Sequence, residues 1–162
     1  MAKTKEEAQL ERKADRNVVR NRRAFHDYFV LESMEVGLVL SGTEIKSVRE
    51  GKVQMAEAYC RVENGELWII GMHISPYTHG SYTNHDPLRP RKLLAHRDQI
   101  IHMAQEVERK GLTLIPLNLY LKKGRAKLEV GICRGKKLWD KRDASADREA
   151  QRDIARAMRD RS

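Results

Sequence analysis

The sequence lacks most of the features that mark membrane, secreted and redox proteins. No apolar run approaches the roughly 18 residues of a membrane-spanning helix, and the start of the chain has no apolar segment of the signal-peptide kind. Only two cysteines are present, Cys60 and Cys133, and they stand in alternating apolar stretches without the spacing of metal ligands. We therefore expect a cytoplasmic protein without membrane contact, in which both cysteines are reduced core residues.

Groups that support catalysis are equally scarce. The glycines in the last third of the chain lack the spacing of a phosphate-binding loop. His79, His85 and Asp86 crowd into one loop, but their spacing matches no known metal-ligand frame. Asp86 and Asp140 each lack a second carboxylate placed to share a divalent ion. The sequence therefore predicts no enzyme, no metal and no cofactor.

What the chain does have is positive charge. Its 162 residues include 32 Lys and Arg against 23 Asp and Glu, which gives a formal net charge of +9 and a pI near 9.7. This balance favours a polyanionic partner, and a membrane surface is the alternative to nucleic acid. Since no apolar segment points to a membrane, we expect a nucleic-acid-binding protein.

The N-terminal segment, residues 1–23, carries eight of the basic residues and very few large apolar side chains. It cannot bury enough surface to offset its ordering entropy, so we expect it to be mobile. The stretch Asn21–Tyr28 mixes aromatic rings with Arg22, Arg23 and His26, a combination suited to single-stranded or looped RNA. The alternative is a solvated terminus that leads into a first strand, with Phe25 and Tyr28 in the core.

Two helices and a series of short strands are predicted between residues 28 and 133. Ser41 precedes Glu44 by three residues, the spacing of a capping box, and Gly51 provides a stop, so we expect a helix over about 42–50. A second helix is predicted from His96 to Lys110. Apolar and β-branched residues predict strands at 28–31, 35–40, 58–63, 66–74, 112–121 and 126–133.

Turn residues separate these strands. Asn64–Gly65, between two apolar runs, predicts a tight hairpin, because both turn positions need positive φ. Pro76 ends a strand, and residues 77–90 read as a long polar loop. Pro116 indicates an edge or a bulge within its strand.

The predicted fold is mainly β with short helices. Five or six short strands in a basic chain favour a small closed barrel of the OB type, although a plain β-sandwich fits the pattern too. We divide the chain into a mobile extension (residues 1–16), an RNA-binding barrel (17–133) and a basic C-terminal tail (134–162).

The tail contains ten Lys and Arg against six Asp and Glu. From about residue 144 its apolar residues recur at helical spacing in a thin stripe, and Arg148, Arg152 and Arg156 form one basic ridge. We expect the tail to be disordered in the free protein and helical along a polyanion. The alternative is an amphipathic helix permanently docked on the barrel.

Several separate motifs resemble one family, that of the SsrA-binding proteins (small protein B), the bacterial partners of transfer-messenger RNA. The resemblance runs in unbroken order from about residue 17 to residue 162. The motifs are Asn21–Phe29, Gly42–Ser47, Gly71–Tyr77, His85–Arg89, Arg91–Leu94 and Gly135–Arg142.

The resemblance implies a non-enzymatic adaptor on an OB-type barrel. Such an adaptor binds the tRNA-like domain of transfer-messenger RNA and delivers it to a stalled ribosome, at the decoding centre, while its tail occupies the empty mRNA channel. It implies a monomer that meets elongation factor Tu only indirectly, through the RNA.

Carried over residue by residue, the family's RNA-contact positions fall on His26, Glu35, Leu94 and His96. A histidine can stack on an unpaired base or bond to its edge, a leucine can pack on a base face, and a carboxylate can accept from base amino groups or the 2′-OH. Basic side chains at Arg91 and Lys92 are expected to contact phosphate, as are Arg22 and Arg23. In the tail the implied ribosome contacts are Lys136, Lys137, Trp139, Asp140, Lys141, Arg142, Arg148, Arg152 and Arg156.

Two other classes of function compete with this prediction. A small RNA-processing enzyme would use Asp86 or His85 as its acid/base group, and the absence of a paired set counts against it. A structural ribosomal protein would have similar basic tails. A division between contacts on the barrel and contacts in the tail instead suits a bridge between two RNAs.

Overall fold

The structure is a computed structural model that describes residues 16–78, 84–137, 148–149 and 151–158. Within residues 16–78 and 84–137 there are nine strands and three short helices. The helices are α1 (Arg22–Asp27), α2 (Gly42–Arg49) and α3 (Arg97–Lys110). The strands are β1 (Arg16–Arg20), β2 (Tyr28–Leu38), β3 (Val53–Gln54), β4 (Tyr59–Glu63), β5 (Glu66–Ile70), β6 (His73–Ile74), β7 (Arg91–Leu94), β8 (Thr113–Lys122) and β9 (Arg125–Gly135).

Six of the strands form a closed ring. Neighbouring strands pair in the order β8, β4, β5, β7, β2 and β9, and β9 pairs again with β8. All of these pairings are antiparallel. The ring resembles an OB-type barrel, which confirms the predicted mainly-β class, and β3 and β6 form a separate two-stranded sheet.

Alternating side chains of the ring fill the main core, and a second, smaller apolar cluster contains Ala24, Ile115, Leu117 and Cys133. In β8 and β9 the buried members include Leu114, Leu119, Leu128 and Val130. Cys60 and Cys133 are both buried free thiols, as predicted, and burial raises the pKa of Cys133 to about 11. None of the described helices is long and apolar enough to cross a membrane.

The local turn and capping signals are confirmed. Ser41 Oγ accepts from the Glu44 N–H and the Glu44 carboxylate accepts from the Ser41 N–H, which forms the capping box of α2. Asn64 and Gly65 have φ of 51° and 74° in the β4–β5 hairpin. The register of the β8–β9 ladder shifts just after Pro116, consistent with the predicted bulge.

The prediction of a mobile segment up to residue 23 is wrong for its last eight residues. Strand β1 pairs antiparallel with β8, and α1 follows it directly. Asn21, which joins the two elements, is 4% exposed; its side chain donates to the carbonyls of Met55 (3.2 Å) and Pro116 (2.9 Å). Backbone pairing and one buried amide therefore order a segment that has few apolar side chains of its own.

The C-terminal part of the chain is helical where it is described. Residues 148–149 and 151–158 are in helical conformation, and all of their described side chains are exposed. Ile154 and Met158 are 56% and 70% exposed. The described helix is therefore not docked on the barrel, and disorder of the free tail stays a prediction.

Candidate nucleic-acid interface

A row of side chains crosses the outer face of the ring near the ends of its strands. Gly37 on β2 lies opposite Leu94 on β7 and opposite Lys127 on β9. Tyr120 on β8 lies opposite Lys127 and extends the row across a fourth strand. Because Gly37 has no side chain, the row has a gap between Leu94 and Lys127, and both residues line depressions at this gap.

Glu35 stands beside this row, two residues before Gly37 on the same face of β2. Its carboxylate accepts a hydrogen bond from the Tyr120 hydroxyl and lies 3.7 Å from Lys122 Nζ. The hydrogen bond from Tyr120, together with the charges of Lys122 and Lys127, lowers the pKa of Glu35. The carboxylate is therefore ionised, and the two lysines offset the repulsion that it would exert on a phosphate.

Leu94 and His96 come from the end of β7 and the start of α3. Leu94 is 57% exposed although it is a large apolar residue in a strand. His96 is the N-cap residue of α3, where its backbone N–H donates to the Gln99 side chain at 3.1 Å, and its own side chain is exposed. Burial of Leu93 within β7 fixes the outward direction of Leu94.

Three of the four carried-over RNA-contact residues thus meet in one place. Glu35, Leu94 and His96 line a depression of about 340 Å³ together with Gln99 and Lys127. Gln99 and Lys127 were not predicted from the sequence, and neither was Tyr120. Period-two alternation could have assigned Tyr120 and Lys127 to the outer face, but only the β2–β9 and β8–β9 registers bring them to Glu35.

Lys92 is also on the outer face, next to the row in sequence. Its side chain is 42% exposed, and Nζ lies 3.1 Å from the Glu66 carboxylate on neighbouring β5. Because this ion pair is at the surface, a phosphate can replace Glu66 as the partner at low cost.

The predicted phosphate contact of Arg91 is wrong. Its side chain is completely buried and forms an ion pair with the equally buried Glu44. The guanidinium also donates to the carbonyls of Met72 (2.7 Å) and Pro87 (3.1 Å). Alternation along β7 turns Arg91 inward with Leu93, so this arginine joins α2 to the segment before β7.

The remaining predicted barrel contacts, Arg22, Arg23 and His26, belong to α1. Arg22 and Arg23 are exposed there, and Arg23 pairs with Glu57 and with Asp27 at 3.4 Å. His26 Nδ1 lies 2.9 Å from Asp27. None of the three lines the described depressions at Leu94, so the structure separates them from Glu35, Leu94 and His96.

The start of the tail is fixed to the barrel. The Lys136 N–H donates to the Asp27 carbonyl at 2.8 Å, and Lys136 Nζ donates to the Phe25 carbonyl at 3.3 Å. Nζ also lies 5.0 Å from the centre of the Phe29 ring, a cation–π distance. Lys137 is exposed, as are Arg148, Arg152 and Arg156. Four predicted tail contacts, Trp139, Asp140, Lys141 and Arg142, lie outside the described residues.

The residues of the enzyme alternative have structural partners. His85 Nδ1 lies 2.9 Å from the Thr43 hydroxyl, and His85 Nε2 lies 2.9 Å from the Ile74 carbonyl, so both ring nitrogens are engaged. The Asp86 carboxylate accepts from the Leu88 N–H at 3.0 Å. His79 lies outside the described residues, and the described part of the chain holds no cluster of three metal-ligating side chains.

Comparisons with known proteins agree on one family. The family model described as SmpB protein matches residues 18–160. An SsrA-binding protein of Desulfitobacterium hafniense (strain DSM 10664 / DCB-2) is 56% identical over 140 residues, which cover 86% of this chain and 90% of that protein. An SsrA-binding protein of Desulforudis audaxviator (strain MP104C) is 52% identical over 150 residues, 93% of this chain and 98% of that protein.

A solved structure is similar as well. It is described as "tmRNA-SmpB: a journey to the center of the bacterial ribosome" and is 49% identical in sequence. The superposition has a TM-score of 0.63 and covers 74% of this chain and 85% of that chain. At this identity the likeness extends beyond the fold.

Proposed function

The chain belongs to the SmpB family, and on this premise we propose that it is an RNA-binding adaptor of trans-translation, not an enzyme. It binds the tRNA-like domain of transfer-messenger RNA and brings that RNA to stalled ribosomes. The similar solved chain comes from a tmRNA–SmpB structure on the ribosome, which supports both partners.

One observation carries the proposal. Glu35, Leu94 and His96, three positions at which the family contacts RNA, surround a single depression beside Lys127. A single exposed leucine is ordinary on a protein surface, but this one lines a depression together with a lysine and an ionised carboxylate. The same set suits a looped RNA, which presents base faces, base edges, 2′-hydroxyls and phosphates together.

Each side chain has a separate part in RNA recognition. Leu94 packs against a base or sugar face, and His96 bonds to a base edge or a ribose hydroxyl. Glu35 accepts from base amino groups or a 2′-OH, so it selects the RNA and Lys127 attracts it. On α1, His26 stacks on an unpaired base while Arg22 and Arg23 hold phosphates, as Lys92 does on the ring.

The tail acts on the ribosome. Lys136, Lys137 and residues 139–142 contact the ribosome at the decoding centre, and the basic ridge of Arg148, Arg152 and Arg156 contacts the empty mRNA channel. All described residues of the C-terminal helix are exposed, which leaves the ridge accessible. The protein works as a monomer and meets elongation factor Tu only through the RNA.

Fluorescence anisotropy with the folded tRNA-like domain tests the RNA site. Glu35→Gln and His96→Ala are each expected to weaken binding about tenfold, since the first turns a charge-assisted hydrogen bond to the RNA into a neutral one and the second removes a hydrogen bond. Glu63→Gln on β4 is the matched control, because Glu63 is an exposed strand carboxylate outside the depression, and it should bind as the wild type does. Unchanged affinity in the Glu35→Gln, His96→Ala double variant would remove both residues from the site.

A further inference from the structure

A second depression lies on the other side of the Leu94–Gly37–Lys127 row. Its walls include Leu40, Ile45 and Leu94, and Arg125 and Lys127 stand at its rim. We call it the Gly37 slot. It encloses about 290 Å³ and shares Gly37, Leu94 and Lys127 with the depression that contains Glu35 and His96. The two depressions therefore form one continuous surface.

Gly37 keeps the slot open for a steric reason. Its φ is not positive, so the backbone would accept any residue there. A Cβ at this position would lie 3.3 Å from Leu94 Cβ, closer than ordinary van der Waals contact. A side chain there would thus occupy the space between the two depressions and would push Leu94 by a few tenths of an ångström.

The chemistry of the slot fits a flat, mostly apolar group attached to negative charge. Leu40 and Ile45 are only partly buried although they pack against the core, and Leu94 is 57% exposed. Apolar side chains hold splayed nucleobases by packing on the base face, and cations beside them bind the flanking phosphates. Arg125 and Lys127 stand at the rim in the positions that this requires.

We propose that the Gly37 slot receives one unstacked base of the bound RNA, with Arg125 and Lys127 on the phosphates that flank it. This inference rests on the proposed function and adds a base-binding site, and Leu40, Ile45 and Arg125 as contact residues, to the surface around Glu35. Leu94 then separates two RNA contacts, one on each side of its side chain.

A thermodynamic cycle tests the slot. The base is deleted at each unpaired position of the tRNA-like RNA in turn, and the affinity of each abasic RNA is measured with wild-type protein and with Gly37→Ala. We expect one position at which base deletion costs wild-type protein about tenfold but costs Gly37→Ala almost nothing, because the added methyl group has already excluded the base. For Arg125→Gln the matching change in the RNA is removal of the charge of the flanking phosphate, which should weaken binding by wild-type protein but not by Arg125→Gln.

Matched variants separate this result from general damage. Ile45→Ala should show the same coupling, and Ile101→Ala, an exposed isoleucine on α3 outside the slot, should show none. Arg61→Gln on β4 is the control for Arg125→Gln, since Arg61 is exposed and does not line the slot. Urea unfolding identifies a variant that fails to fold. If Ile45→Ala fails to fold, Arg125→Gln still tests the slot, because Arg125 is an exposed residue of the β8–β9 hairpin.

The outcomes distinguish the slot from the function on which it rests. If wild-type protein binds selectively but the effects of RNA changes and protein variants are additive at every RNA position, the proposed base-binding slot is wrong and the RNA-binding function stands. No preference of wild-type protein for the tRNA-like RNA over an unrelated hairpin would overturn both.

Discussion

Loss of Glu44 or Arg91 should lower the free energy of unfolding strongly. Both side chains are fully buried, and each provides the other's counter-charge. Glu44→Gln leaves the Arg91 charge buried without a carboxylate, so we expect a loss of about 3–5 kcal/mol in the free energy of unfolding. Urea denaturation measures it, and Glu66→Gln, which removes the surface partner of Lys92, should change stability by less than about 1 kcal/mol.

The same carboxylate makes stability depend on pH. Burial acts to raise the pKa of Glu44, but hydrogen bonds from Arg89, the Ser41 N–H and Arg91 outweigh it and hold the pKa at about 2, below the ordinary 4.5. The contribution is therefore complete above pH 4.5 and is lost as the pH falls through 2. Wild-type protein should lose stability over this window more steeply than Glu44→Gln, and equal slopes would contradict the assignment.

Tyr120 should position Glu35 for RNA. Its hydroxyl donates to the carboxylate and is the largest cause of the lowered pKa of Glu35. Tyr120→Phe is expected to weaken binding of the tRNA-like RNA by about 1 kcal/mol, roughly fivefold, and to raise the pKa of Glu35 in an NMR titration. Tyr59→Phe, at an exposed tyrosine on β4, should leave both quantities unchanged.

Residue roles were predictable only where the local pattern determines them. Alternation along β7 sets Arg91 and Leu93 inside with Lys92 and Leu94 outside, so an outward Leu94 already implies an inward Arg91. Two adjacent basic residues nevertheless suggested two phosphate contacts. The counter-charge that permits burial of Arg91 is Glu44, 47 residues earlier, and sequence reasoning from local pattern does not reach that far.

At the scale of elements, Asn21 fastens β1 and α1 to the ring. Its Oδ1 caps α1 by accepting from the Ala24 N–H at 3.1 Å, and its Nδ2 donates to two carbonyls of the body. Asn21→Ala removes the cap and two buried hydrogen bonds to backbone carbonyls, so we expect a loss of about 3 kcal/mol. Ser41→Ala removes only the cap of α2 and should cost about 1 kcal/mol in the same urea titration. Equal losses would show that the Asn21 amide adds nothing beyond capping.

Elements that are encoded by a local sequence motif were predicted, and elements that depend on pairing with distant residues were not. The α2 capping box and the Asn64–Gly65 turn are encoded within four residues each, and both are present. Strand β1 has no apolar alternation of its own, and it forms because it pairs with β8, which lies about 100 residues later in the sequence. Such a pairing is set by the closed ring and leaves little trace in the local sequence.

At the scale of the whole molecule, binding and ribosome action should be separable. The proposed RNA contacts lie on the ring and on α1, and the segment 139–142 belongs to the tail. Changing Asp140, Lys141 and Arg142 together to Ala is expected to leave affinity for the tRNA-like RNA within about threefold, roughly 0.7 kcal/mol. The same variant should abolish peptide tagging in a reconstituted trans-translation assay. Tight RNA binding lost together with tagging would contradict this division.

In the proposed function the ring and α1 recognise the RNA without the tail. The most direct measurement is a gel-shift titration with the folded tRNA-like RNA and an unrelated hairpin of equal length. The salt concentration is about 150 mM, because salt weakens nonspecific binding through phosphate contacts. Full-length protein is compared with a chain that ends at Lys137, which keeps the Lys136 contacts to Asp27 and Phe25. We predict tight and selective binding by both proteins. Selectivity that vanishes on truncation would contradict the account.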